Sequence, residues 1–183
     1  MKQGFQMGRR VLALLVGFTT LVTSICVVDA VDSRPSDLFV IERNKNRNLV
    51  QYTMRLDSNC NPVADAPVGA YWRMLERGPD ATESVGWFER RAYGFASQEQ
   101  QTDGWNVRLR ALPSRLVKVQ ARRSGEGCTV EASTSIGGGQ AILERIYVFA
   151  TEPALIPRVI YIDIQGRAPD GTPVSERVEA LDR

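Results

Sequence analysis

Histidine is absent from all 183 residues of the chain. That absence excludes a Ser-His-Asp or Cys-His nucleophile pair, a histidine-ligated zinc or iron site and a histidine pH switch. Any catalysis would depend on carboxylate, lysine, tyrosine, or a serine or threonine with a lysine base. The triple glycine 137–139 lacks the Lys-Ser/Thr ending of a phosphate-binding loop. We therefore expect no cofactor and no metal.

Net charge is also nearly absent once the first 30 residues are set aside. Those residues hold three of the 23 basic side chains and one of the 21 acidic ones, so the remainder carries 20 of each. The basic character of the whole chain thus belongs to its N-terminus. No electrostatic argument for binding nucleic acid remains.

The N-terminus has the three parts of a secretory signal. Lys2, Arg9 and Arg10 are positively charged, the run 11–28 is almost uncharged and mostly apolar, and 28–30 offers a cleavage site with small residues. This pattern predicts export to the periplasm or the extracellular space. The chain would contact the membrane only through this segment.

The predicted organisation is a signal peptide over 1–30, a short spacer over 31–37 and a single β-rich domain over 38–183. Two alternatives stay open. The apolar run of about 18 residues is near the lower limit for spanning a bilayer, so an uncleaved inner-membrane anchor is one. The pair Arg9-Arg10 also leaves twin-arginine export open.

Two cysteines, Cys60 and Cys128, follow the signal segment, and both lie in turn-like sequence. An even count in an exported protein predicts a disulfide. In the chain-entropy model a bridge closing a loop of this size contributes roughly 4 kcal/mol. The functional alternative is a reactive thiol, which would have no nearby histidine to activate it.

Strand signals recur along the rest of the chain. Leu49–Leu56 alternates between the two faces of a half-buried strand, and the Asn-rich stretch before it is typical of a hairpin turn. Between Gly78 and Phe95 the apolar residues recur at helical spacing, and Gly94 marks the end of one short helix. With eight or nine strands expected, the fold class is all-β, mainly an antiparallel sandwich or barrel, with one short helix.

One stretch, Leu38–Leu56, resembles the opening of the bacterial domain of unknown function family 4833. That family begins with F-x-I-x-R-S-K-N-x-N, which leads into a V-x-Y strand. Asn44 stands where the family usually has Ser. The pattern falls on Phe39, Ile41, Arg43, Lys45, Asn46, Asn48, Val50 and Tyr52.

Four later segments are similar to the same family, in the same order: 68–72, 89–95, 162–166 and 176–178. The resemblance covers most of the chain after the signal. It implies an exported β-rich domain and no activity, so no catalytic residue is carried over.

The predicted ligand-binding site combines the Arg- and Asn-rich hairpin with nearby aromatic residues. Guanidinium groups bind carboxylate or phosphate in a bidentate fork, and aromatic rings offer flat apolar contact. A solvated turn and a packed aromatic core explain the same residues without any ligand. The candidate residues are Glu42, Arg43, Lys45, Asn46, Asn48, Tyr71, Trp72, Glu89 and Tyr93.

The functional prediction is a non-enzymatic binding or accessory module of the cell envelope, whose partner is a small molecule, a glycan or another envelope protein. The alternative is a carboxylate-dependent enzyme that acts on cell-wall or extracellular glycans. It requires Glu42 or Glu89 to lie in a cleft with a raised pKa. A third hypothesis is an accessory domain whose edge strands pair with a partner.

Overall fold

We describe a computed structural model of the chain over residues 35–125, 127–151 and 158–179. The predicted signal peptide over 1–30 lies outside these residues. Among the described residues, no helix is long and apolar enough to cross a bilayer.

The described residues form eleven strands and one helical turn, and most of the strands are antiparallel. A four-residue helix, α1 (Arg90–Tyr93), lies between β4 and β5. The strands are β1 (Pro35–Arg43), β2 (Leu49–Arg55), β3 (Val68–Arg73), β4 (Thr82–Ser84), β5 (Phe95–Gln101), β6 (Gly104–Leu109), β7 (Leu112–Ser124), β8 (Gly127–Ile136), β9 (Gly139–Ala150), β10 (Val159–Arg167) and β11 (Pro173–Glu179).

Strand β9 is the branch point of the sheet. Its first residues pair antiparallel with β8, and its residues 145–148 pair parallel with β1. Because β10 pairs with β9 over 142–150, β8 and β1 share the opposite edge. Two arms therefore leave that edge, one ordered β1-β2-β3-β4 and the other β8-β7-β6-β5.

The two arms curl until β3 and β5 face each other. No backbone ladder joins these two strands in the described residues; the Gln98 side chain joins them instead. Gln98 Oε1 accepts the Val68 N–H at 3.1 Å, and Gln98 Nε2 donates to the Val68 carbonyl at 2.9 Å. We call this gap between β3 and β5 the seam. The result is one curled, barrel-like sheet.

The core fills the inside of this sheet. In β2, Val50, Tyr52 and Met54 are fully buried and point inward. The Phe39 ring stacks on Tyr52 with centroids 4.5 Å apart, and Phe95 meets Tyr52 edge-on across the seam at 5.8 Å. Each such side chain stabilises the fold by about 1.5–3 kcal/mol through its burial.

The disulfide prediction is confirmed. Cys60 and Cys128 are bonded with their Cα atoms 5.4 Å apart. The bridge ties the long connection between β2 and β3 to the start of β8, which lies in the other arm. Cys60 itself has a positive φ of 66°, so the turn that presents it is in the left-handed region.

The predicted fold class is confirmed, with three differences in detail. Strands β4 and β5 were not predicted, because β4 has three residues and the second half of β5 is Gln98-Glu99-Gln100-Gln101, which lacks apolar alternation. The parallel pairing of β1 with β9 was not predicted either. The helix is shorter than its apolar spacing indicated, since Phe88 lies exposed before it.

Replacing Gln98 by Leu should open the seam beside Val68. The substitution leaves the Val68 N–H and carbonyl without partners, so we expect the free energy of unfolding to fall by about 1–3 kcal/mol. Urea denaturation measures this change. Gln100→Leu is the matched control, because Gln100 is exposed on the same strand. An equal loss in both variants would contradict the role assigned to Gln98.

Candidate functional site

The turn α1 lies against the seam, where it covers one end of the barrel. The Tyr52 hydroxyl donates to the Tyr93 carbonyl at 2.7 Å. Burial, with a smaller contribution from the neighbouring Tyr93 hydroxyl, raises the pKa of Tyr52 well above its usual range, so Tyr52 remains a donor. The turn ends at Gly94, whose backbone is extended, and a Cβ at this position would collide with the Arg90 carbonyl oxygen.

Glu89 fastens the loop before α1 to the barrel. Its Oε2 accepts two hydrogen bonds at 2.9 Å, one from the Trp72 indole Nε1 and one from the Gly86 N–H. A carboxylate between two donors is held in place more firmly than a neutral acceptor would be. The Glu89 side chain therefore positions α1, with its Tyr93, against Trp72.

Arg43 stands at the end of β1 on the inward face, where two aromatic rings hold it. Its Cζ is 4.8 Å from the Trp72 ring centroid and 5.9 Å from that of Tyr93. Its Nε is buried and has no hydrogen-bond partner in the described structure. No carboxylate of the described residues forms an ion pair with it. Arg43 is thus a half-buried cation stabilised by ring faces alone.

A groove of about 660 Å³ lies at the seam, and Tyr93 is one of the residues that line it. Its walls come from β3, from the loop and turn around α1, and from the ends of β5 and β6. We call it the seam groove. Its lining residues are Gly69, Ala70, Val85, Trp87, Arg90, Arg91, Tyr93, Gly94, Phe95 and Arg110.

The lining of the seam groove is cationic and aromatic. Among the residues that the structure describes, it contains three arginines and no carboxylate. Two of the arginines are anchored through Nε, Arg90 to the Val85 carbonyl and Arg110 to the Phe95 carbonyl, each at 3.0 Å. Arg91 instead lies with its Cζ 5.5 Å from the Trp87 ring centroid. Such a surface attracts anions.

Exposed aromatic rings flank the same groove. Trp87 is 75% exposed and Phe88 is 64% exposed, and the two rings meet edge-on with centroids 5.8 Å apart. Large rings at such exposure on a folded surface mark interaction sites more often than isolated apolar residues do. Together with Arg91, they offer flat apolar area beside positive charge.

Comparison with known families identifies the group to which this sequence is related. The family model described as "Domain of unknown function (DUF4833)" matches residues 39–177. The chain belongs to this family. The resemblance predicted from the sequence motifs is thereby confirmed. No curated protein matched the chain, and no solved structure matched it either.

Four of the predicted site residues of this DUF4833 domain meet around α1: Arg43, Trp72, Glu89 and Tyr93. The structure places Tyr71 next to Trp72 in β3, on the outward face. Its neighbour in the sequence, Trp72, is 4% exposed and points inward. The aromatic part of the prediction therefore divides between the two faces of the sheet.

The hairpin residues divide as well. Glu42 lies on the outward face of β1 and pairs with Arg145 at 3.2 Å. Asn48 is buried and bonds Glu76, accepting its N–H at 3.2 Å. Lys45 is exposed, and Asn46 has a buried Oδ1 without a hydrogen-bond partner. The hairpin side chains therefore do not converge on one binding site.

The sequence reasoning missed four residues of the groove: Trp87, Arg90, Arg91 and Arg110. The segment 87–91 carries a signal that could have found them, because two large aromatic residues stand beside two adjacent arginines. Arg110 carries none. It follows β6, and the antiparallel pairing of β6 with the unpredicted strand β5 brings it beside Gly94, where its N–H donates to the Gly94 carbonyl at 3.0 Å.

A second concavity, of about 920 Å³, lies on the outward face of β7, β8 and β9. Its two cations already have partners. Arg115 pairs with Glu176, and Lys118 pairs with Asp103 at 2.7 Å. The hydrogen bond from the Gly137 N–H, and after it the Arg115 guanidinium, hold the pKa of Glu176 below its usual range. The seam groove is therefore the stronger candidate.

Replacing Glu89 by Ala tests whether this carboxylate positions α1. The change removes the acceptor of the Trp72 indole and of the Gly86 N–H, so we expect the free energy of unfolding to fall by about 2 kcal/mol. Amide exchange over residues 86–94 should become faster. Urea denaturation and hydrogen exchange followed by mass spectrometry measure both effects.

The matched control is Glu83→Ala. Glu83 pairs with Arg77 at 3.0 Å, and both side chains are more than half exposed. An exposed pair contributes about 0–1 kcal/mol, so this variant should stay close to wild type. If the two glutamate variants lose equal stability and exchange alike, Glu89 does not fasten the turn.

Proposed function

We propose that this chain is a non-enzymatic binding module of the cell envelope, which holds an anionic ligand with an apolar part in the seam groove. One observation carries the proposal: among the described residues, the groove is lined by three arginines and by the rings of Trp87, Tyr93 and Phe95, and by no carboxylate. A positively charged concavity with apolar walls matches a ligand that has a carboxylate or phosphate beside a flat or aliphatic group.

The arginines suit such a ligand by their geometry. Arg90 and Arg110 use Nε to bond a backbone carbonyl. The two terminal nitrogens of each guanidinium can then donate to a ligand. Arg91 is exposed and contacts only the Trp87 ring among the interactions of its side chain. Guanidinium forks with restricted orientation lose less freedom on binding than lysine does.

An envelope location is supported by two features. The N-terminal sequence has the pattern of a secretory signal. The Cys60–Cys128 disulfide suits an oxidising compartment, such as the periplasm or the extracellular space. A module that stays folded outside the cytoplasm benefits from such a bridge between its two arms.

A binding role is favoured over the glycan-cleaving alternative by the positions of the carboxylates. The Glu89 carboxylate already accepts two hydrogen bonds. Glu42 pairs with Arg145 on the outward face of the sheet. Glycan hydrolysis needs two carboxylates that flank one bond, and these two point to opposite faces.

The test uses three small probes of similar shape: benzoate and phenyl phosphate, which are anionic, and benzyl alcohol, which is neutral. Titration of the full chain is followed by the indole N–H signal of Trp87 in NMR spectra. We expect both anions to shift this signal at lower concentration than the alcohol does. In Arg91→Gln the dissociation constant for benzoate should rise about five- to tenfold, since one charge-assisted contact is lost.

Arg122→Gln is the control, because it removes the same charge from an exposed position in β7 outside the groove. It should leave benzoate binding within about twofold of wild type, the effect of a distant screened charge. Equal affinity for benzoate and benzyl alcohol, or equal losses in the two arginine variants, would overturn the proposal.

A further inference from the structure

The edge of β3 that faces away from β2 borders the seam groove beyond the end of β4. Hydrogen bonds along β3 show which backbone N–H and carbonyl groups face that edge. The Met74 N–H donates to the Ala81 carbonyl on the β4 side, and the Val68 N–H and carbonyl bond Gln98 across the seam. Alternate residues of a strand direct their backbone groups to the same edge. The N–H and carbonyl of Ala70 therefore face the seam, away from β2.

Ala70 has no strand partner on that side in the described part of the chain. Strand β4 pairs with β3 from Arg73 only as far as Tyr71. The next residue along, Val85, gives its carbonyl to Arg90 Nε. Ala70 thus presents one donor and one acceptor to the groove that it helps to line.

We propose that the seam groove binds an acidic peptide, which forms a β-bridge with Ala70 and places a carboxylate against the groove arginines. This inference rests on the proposed function and names its ligand class. One peptide residue accepts the Ala70 N–H with its carbonyl and donates its own N–H to the Ala70 carbonyl. The carboxylate of an Asp or Glu side chain meets Arg91 or Arg110, and an apolar side chain packs on Trp87.

The geometry of the edge favours a peptide over other anions. A donor and an acceptor of one strand residue are complementary to the same two groups of another strand, which is how extended peptides add to sheet edges. The groove floor beside them is Gly69 and Ala70, and small side chains let a second backbone approach closely. An ionised phosphate has no donor for the Ala70 carbonyl, and sugar hydroxyls do not repeat the fixed donor and acceptor spacing of a strand residue.

The bridge is limited to one residue. Gln98 occupies the backbone groups of Val68 on one side, and β4 occupies those of Trp72 on the other. A bound peptide must therefore leave the sheet in both directions. Its affinity depends on the flanking acidic and apolar side chains rather than on a long ladder.

The experiment titrates the full chain with the blocked pentapeptide acetyl-Ala-Glu-Phe-Glu-Ala-amide, followed by the Ala70 amide and Trp87 indole signals in NMR spectra. The indole signal also reports binding in a variant that lacks the Ala70 amide. A second peptide has Gln in place of both Glu, and a third is N-methylated at every backbone nitrogen. Loss of the bridge or of the charge should weaken binding about tenfold in each case. Tetragalacturonate serves as the anionic sugar probe, and benzoate as the small anion.

Ala70→Pro is the protein variant that removes the bridging donor. The Ala70 N–H is not part of the β2 ladder, and proline is tolerated where an edge N–H has no ladder partner. We expect this variant to bind the acidic peptide about tenfold more weakly and to bind benzoate as wild type does. If it fails to fold, the N-methylated peptide on the wild-type protein decides the question.

The outcomes separate the two proposals. Benzoate binding with equal affinity for the acidic peptide and its N-methylated form would overturn the peptide inference and leave the anionic site in place. Tighter binding of tetragalacturonate than of the acidic peptide would also overturn it, in favour of a glycan. If neither benzoate nor the peptide binds, both proposals fall together.

Discussion

The rest of the structure depends on how the curled sheet closes between β3 and β5. These strands face each other without a shared ladder, so their backbone groups need other partners. Gln98 supplies them for Val68, and β4 supplies them for Trp72. Between these two closures the turn α1 covers the barrel end while Glu89 bonds the Trp72 indole. The groove is the part of the seam that neither closure fills.

Local patterns in the sequence were sufficient to predict most strands but not this closure. The alternation in β8 is strong because one face packs on the core and the other is more exposed. In β2 the inward Val50, Tyr52 and Met54 alternate with polar residues that are buried as well. Strand β5 carries four consecutive polar residues from Gln98 onward, since it lies at an edge and serves the seam rather than the core. The parallel pairing of β1 with β9 could not be predicted either. It joins residues about a hundred positions apart, and hydrophobic periodicity carries information about neighbouring residues only.

The candidate site divides in the same way. Arg43 and Trp72 could be predicted together, because a hairpin and its neighbouring strand place their inward residues side by side. The alternation that put Arg43 inward also put Glu42 outward, and the same parity separates Tyr71 from Trp72. Arg110 could not be found from the sequence. Its place beside Gly94 follows from the pairing of Phe95 with Leu109 in the β5–β6 hairpin, and β5 carries too little apolar alternation to be predicted.

The cations at the seam tie binding to stability. Arg43 is half-buried against Trp72 and Tyr93 and has no counterion among the described residues, and Tyr93 also lines the groove that holds the three other arginines. Like charges so arranged repel one another, and desolvation adds a further cost that ring faces offset only in part. An anion in the groove would reduce the repulsion and interact with the native state alone. A ligand that binds only the folded chain raises its stability by mass action. The proposed anionic ligand would therefore stabilise the fold at the seam.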